Sequence, residues 1–72
     1  MPTLQQLREF AVLTQAELAE EVGVSVTTIS HWENVSERPR ASNIQKLAKA
    51  FHVSPQEVLA AIRETTSNPR QP

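Results

Sequence analysis

The sequence predicts an all-α fold of five short helices, and three observations carry that expectation. Apolar residues recur at helical spacing, and no run alternates strictly with polar residues as a half-buried strand would. Helix starts can be read from capping boxes, in which a Ser or Thr and a Glu or Gln three positions later each bond the other's backbone. Thr3 with Gln6, Thr14 with Glu17, and Ser54 with Glu57 fit that pattern. Apolar pairs flanking a start form hydrophobic staples. Leu13 with Leu18, Val24 with Ile29, and Val53 with Val58 stand at that spacing.

The first helix is expected over about 4–11, behind Thr3, and the second over 15–22, behind Thr14. The third, about 26–33, follows Ser25, a cap without the reciprocal acid. Pro39 disfavours helix at Arg38, so the fourth spans about 41–51. The fifth, about 55–63, carries Pro55 at its first position, where a missing N–H costs nothing. Residues 65–72 are polar and hold two prolines, and are expected to be a disordered tail behind one folded domain, 1–64. Leu7, Phe10, Ile44, Leu47, Phe51, Leu59 and Ile62 read as core, with Leu59, Ala61 and Ile62 open to a second use against another subunit.

With 72 residues there is room for a single domain. The absence of cysteine excludes disulfide frameworks, zinc fingers and thiol nucleophiles. His31 and His52 are 21 positions apart, with no second ligand at metal spacing, so no metal is expected. No nucleophile–base pair or glycine-rich phosphate loop is visible, so neither an enzyme nor a cofactor is expected. No apolar run approaches membrane-spanning length, and the N-terminal residues lack a secretory layout. The expected address is the cytoplasm.

The net charge of −1 argues by itself against a nucleic-acid binder. Its distribution is more informative. Residues 1–34 carry one base and five acids, whereas 35–72 carry six bases and three acids. Between Arg38 and Lys49 stand four bases and no acid, a local positive patch. The Glu17, Glu20 and Glu21 group reads as a solvated face.

The stretch from Gln15 to Glu33 places two short helices across a tight turn. For them to cross steeply, Ala19 must be small, and Gly23 must be free to adopt positive φ. Leu18, Val22, Val24, Ile29 and Trp32 then fill the wedge between them. Here the chain resembles the phage-repressor-like, Xre-type helix-turn-helix domains, over about residues 4–62. The resemblance rests on Arg8, Leu13-Thr14-Gln15, Leu18-Ala19, Val22-Gly23-Val24-Ser25, Ile29-Ser30, Trp32-Glu33-Asn34, Pro39 and the run from Leu47 to Ser54. It implies a five-helix, lambda-repressor-like DNA-binding domain whose helix-turn-helix is helices two and three. It also implies a structural ion pair between Arg8 and Glu33, and a homodimer on double-stranded DNA. The family often has glycine where Val12, Val35 and His52 stand. Asn34, which tolerates the left-handed conformation, is therefore the expected terminator of helix three.

In a helix-turn-helix the second helix enters the major groove N-terminus first. With Ile29 and Trp32 facing inward, the outward residues are Val26, Thr27, Ser30 and His31, with Thr28 at the margin and Ser25 at the cap. Val26 suits a thymine methyl, and the polar residues suit base edges or phosphates. The set lacks Arg, Asn and Gln, so modest specificity per half-site is expected. The resemblance adds Gln15 at the start of helix two as a phosphate ligand and places Arg38 and Arg40 near the DNA backbone. Asn43 is a further phosphate candidate. The expected function is a sequence-specific transcriptional regulator, a repressor in sense. An antitoxin bound to a toxin partner, or a protein-interaction module without DNA binding, are the alternatives.

Overall fold

The computed structural model describes residues 2–34 and 37–67. Five helices follow one another: α1 Leu4–Phe10, α2 Gln15–Val22, α3 Val26–Glu33, α4 Ala41–Phe51 and α5 Pro55–Ser67. Among the described residues there is no strand. Each of the first four helices lies within a residue of its sequence-predicted bounds, because its ends are written in local chemistry. The hydroxyl of Thr3 accepts from Gln6 N–H, and the Gln6 side chain accepts from Thr3 N–H. Thr14 and Glu17 do the same for α2, and Ser54 and Glu57 for α5. Ser25 caps α3 through Thr28 N–H alone. The start of α4, at Arg40, has no side-chain cap, and Pro39 beside it is buried.

Three of the four linkers share a three-residue plan: a left-handed residue, an apolar residue, then the next helix's cap. They are Val12-Leu13-Thr14, Gly23-Val24-Ser25 and His52-Val53-Ser54, with φ of 58, 85 and 59° at the first position. In each, the apolar residue's N–H reaches back to the departing helix: Leu13 to Arg8 O, Val24 to Ala19 O, and Val53 to Ala48 O, at 3.0–3.2 Å. These are Schellman closures, which satisfy carbonyls that a helix end leaves unpaired. The apolar residues also pack on the core, so each one ends one helix and staples the next. At Gly23 an added Cβ would meet nothing within 4 Å, so glycine serves the backbone conformation there and not a close approach.

The core is continuous. Leu4 and Leu7 of α1, Leu18, Ala19 and Val22 of α2, Ile29 and Trp32 of α3, Leu47, Ala48 and Phe51 of α4, and Val58, Ala61 and Ile62 of α5 are all buried. α2 packs on both α3 and α4, while α1 closes the other side against α5, α3 and α4. Burial of this kind contributes about 25 cal/mol per Å² of apolar surface. No helix among the described residues is long and apolar enough to cross a membrane.

Four expectations are corrected. Helix α5 does not stop near 63 but runs to Ser67, so residues 65–67 are helix and not tail. The cause is tertiary. The Thr65 hydroxyl donates to Ala61 O at 2.8 Å and accepts Leu4 N–H at 3.2 Å, so a polar residue is buried with both of its hydrogen-bonding roles filled. The rest of the expected tail, 68–72, lies outside the described residues. Phe10 is not core but 73% exposed. The inward stripe of α1 runs through buried Leu4 and Leu7 toward the partly buried Ala11 just past its end, and Phe10 falls roughly a quarter turn away from it. Asn34 does end α3, yet at φ −103° and not in the left-handed region. Val35 lies outside the described residues. Ala61 and Ile62 are buried within the monomer and so are not free to face a second subunit, while Leu59 is half-buried.

Candidate nucleic-acid interface

Helix α3 has two chemically distinct faces. Ile29 and Trp32, three apart, are 1% and 4% exposed and seat the helix in the core. Glu33, at its last position, completes the inner side. Its carboxylate takes Arg8 Nε–H at 2.6 Å, Arg8 Nη2–H at 3.3 Å and Gln15 Nε2–H at 2.9 Å. Arg8 also donates to Leu13 O at 2.9 Å. The pair is largely shielded from water, with side-chain exposures of 12% and 5%. An acid at a helix C-terminus opposes the helix dipole, and the donors from α1 and α2 offset that. The expected Arg8–Glu33 ion pair is thus present, and it clamps the orientation of α3 against both preceding helices.

The outer face is open. Ser25, Val26, Thr27 and His31 are exposed, and Thr28 and Ser30 are half-buried. Their hydroxyls differ in freedom. Ser25 and Thr28 are bonded to each other at 3.0 Å, on top of the cap bond. Ser30 Oγ accepts from Asn34 Nδ2 at 3.2 Å. Thr27 makes no side-chain hydrogen bond among the described residues and is the most available polar group on the edge. Val26, 44% exposed, stands beside it as a bare apolar contact.

Gln15 is where the sequence places it, at the start of α2, but its amide is not idle. One Nε2 hydrogen is directed at Glu33, which leaves the second hydrogen and the carbonyl oxygen for an outside ligand. Arg38 and Arg40 are exposed, and neither forms an ion pair among the described residues. Asn43, half-buried in the first turn of α4, makes no side-chain hydrogen bond there either.

One residue at this surface has no signature in the sequence. Glu37 Oε1 lies 3.3 Å from His31 Nδ1, with both side chains about half exposed. The contact ties the segment that carries Arg38 and Arg40 to the outer edge of α3. A contact between side chains six positions apart, one of them beyond the end of α3, follows from no helical or strand periodicity, so only the tertiary structure reveals it. Among the described residues no group of three or more His, Cys, Asp or Glu is arranged to hold a metal ion.

Comparison with known proteins agrees with this architecture. The family described as helix-turn-helix matches residues 4–58, which takes in α1 to α4 and the start of α5. Over 57 residues the chain is 42% identical to the HTH-type transcriptional activator BcrR of Enterococcus faecalis. That match covers 79% of this chain but only 28% of the relative, so the likeness concerns one domain of a longer protein. With α2 and α3 crossing at Gly23 over a shared core, and the family match spanning most of its length, the chain belongs to the Xre-type helix-turn-helix family of DNA-binding transcription regulators.

Proposed function

We propose that the domain reads a specific double-stranded DNA site by inserting the N-terminal part of α3 into the major groove. The observation that carries this reading is the division of α3: one face locked by Ile29, Trp32 and the Arg8–Glu33–Gln15 cluster, the other left uncovered from Val26 to His31. A reading element must be rigid in position and bare at its contact edge. Val26 would meet a thymine methyl, and Thr27 and His31 would bond base edges. Gln15, Arg38, Arg40 and Asn43 would hold phosphates, which position the protein without specifying sequence. Ser25, Thr28 and Ser30, whose hydroxyls are engaged within the protein, contribute shape more than direct bonds.

On the order of three to five phosphate contacts per monomer would give a shallow salt dependence, about −0.9 in log–log slope per contact. One half-site would then bind weakly, and a homodimer presenting two α3 helices about 34 Å apart would supply the missing affinity. Repression by occupying a promoter needs nothing beyond this binding. The relative's name makes it an activator, so the same kind of domain is compatible with either sense.

The test is selection of duplexes from a random pool, followed by band-shift titration. A two-fold symmetric site is expected. Thr27→Ala and His31→Ala should each weaken binding to it by roughly fivefold or more, with unchanged melting temperature. If no duplex is preferred over random DNA at low salt, the reading fails, and a protein-interaction module takes its place.

A further inference from the structure

The contact between His31 and Glu37 bears on which bases the outer edge of α3 can accept. A carboxylate is acceptor-only, so in the neutral imidazole a bond from Nδ1 to Glu37 requires the proton on Nδ1. Nε2, which has no partner among the described residues, is then left as a lone-pair acceptor. The two ring nitrogens are distinct in this way wherever one of them is engaged.

Stability does not explain the pair. Both side chains are about half exposed, and an exposed polar contact of this kind contributes little to folding. A carboxylate at the edge of a DNA-facing surface also repels phosphates. Its useful consequence lies in the choice of base. In the major groove adenine N6 and cytosine N4 offer donors, while guanine N7 and O6 and thymine O4 offer acceptors.

Resting on the DNA-reading role proposed above, we propose that Glu37 is a specificity-determining residue: by accepting a hydrogen bond from Nδ1–H of His31 it presents Nε2 of the neutral ring as an acceptor, so that the base facing His31 is cytosine or adenine and not guanine. Glu37 acts here through His31 and is a positioning residue, while His31 makes the contact.

Duplex selection at pH 8 compares the wild-type domain with Glu37→Ala, His31→Ala and the double variant. For the wild type, one position in each half-site should favour cytosine or adenine over guanine by about fivefold, the worth of one hydrogen bond. In Glu37→Ala the ring is free to carry its proton on either nitrogen. Guanine should then be accepted at that position with less than about twofold discrimination, while affinity for duplexes of any sequence rises as a negative charge is removed. In the His31→Ala background, Glu37→Ala should cause no further change of preference.

An unchanged preference in Glu37→Ala overturns the proposal. So does a preference that still responds to Glu37→Ala when His31 is absent, because Glu37 would then read the base itself. A wild-type domain that selects no site at all overturns the DNA-reading role itself, and that outcome is separable from the other two. Far-UV circular dichroism of each variant confirms the fold, which these two exposed side chains do not support.

Discussion

Val12 and Gly23 occupy the same place in successive linkers, at φ 58 and 85°, each followed by an apolar staple and a hydroxyl cap. At Gly23 the left-handed backbone is free of strain. At Val12 a β-branched residue holds a conformation that disfavours Cβ by roughly 1–2 kcal/mol, and its side chain is 85% exposed, so burial returns nothing. The first linker survives because its surroundings over-determine it. Arg8 bonds Leu13 O from one side and Glu33 from the other, and Leu13 packs on the core. The second linker, which joins the two helices of the DNA-reading motif, has no such clamp among the described residues and depends on glycine. The comparison teaches that one turn geometry is reached by two routes: conformational freedom in one case, tertiary constraint in the other.

The largest expected effect follows from removing the clamp. Arg8→Ala leaves the Glu33 carboxylate shielded and short of its charged partner, which costs about 3–5 kcal/mol. That is a large fraction of the stability of a chain this size, about 0.05–0.15 kcal/mol per residue. Chemical denaturation should find the midpoint sharply lowered. A loss under about 1 kcal/mol would mean that the first linker does not need Arg8.

Reciprocal substitutions come next. Gly23→Val should destabilise by about 1 kcal/mol, and Val12→Gly should stabilise by a similar amount, after allowing for the unfolded-state entropy of glycine. In a domain of this size each corresponds to a melting shift of about 4–8 °C, in opposite directions. Equal and opposite shifts would confirm that the two positions differ only in side chain. If Val12→Gly lowered the melting temperature, strain would not be the property that separates the linkers.

The third linker sharpens the comparison at the smallest scale. His52, at φ 59°, is exposed and unbranched at Cβ, so it carries less strain than Val12. His52→Asn should raise stability by only a few tenths of a kcal/mol, since Asn visits this region more readily. A thermal melt showing a gain as large as that of Val12→Gly would remove β-branching from the account.

Much of the fold was legible because it is encoded locally. Thr3, Thr14, Ser25 and Ser54 cap helices within three or four residues of themselves, and a Cβ-free Gly23 announces its turn. The inward positions of α3 followed from the spacing of Ile29 and Trp32. Phe10 was misread because an apolar residue at a helix end falls on or off the buried stripe by a fraction of a turn, and α1 is only seven residues long. Thr65 was misread because a hydroxyl looks like surface until its two partners, Ala61 O and Leu4 N–H, are known. The engagement of Gln15 by Glu33 was equally hidden, since nothing within 18 positions of chain connects them.

By itself the sequence determined where helices begin, which residues face inward along most of them, and which family the chain belongs to. Those properties depend on hydrogen bonds and periodicities that span a few residues. Tertiary structure alone decided that Glu33 is shared by α1 and α2, that Thr65 extends α5 against α1, and that Glu37 stands at His31. Each of these joins groups whose meeting depends on how helices and loops pack, and a polar side chain carries no mark of the distant partner that will satisfy it.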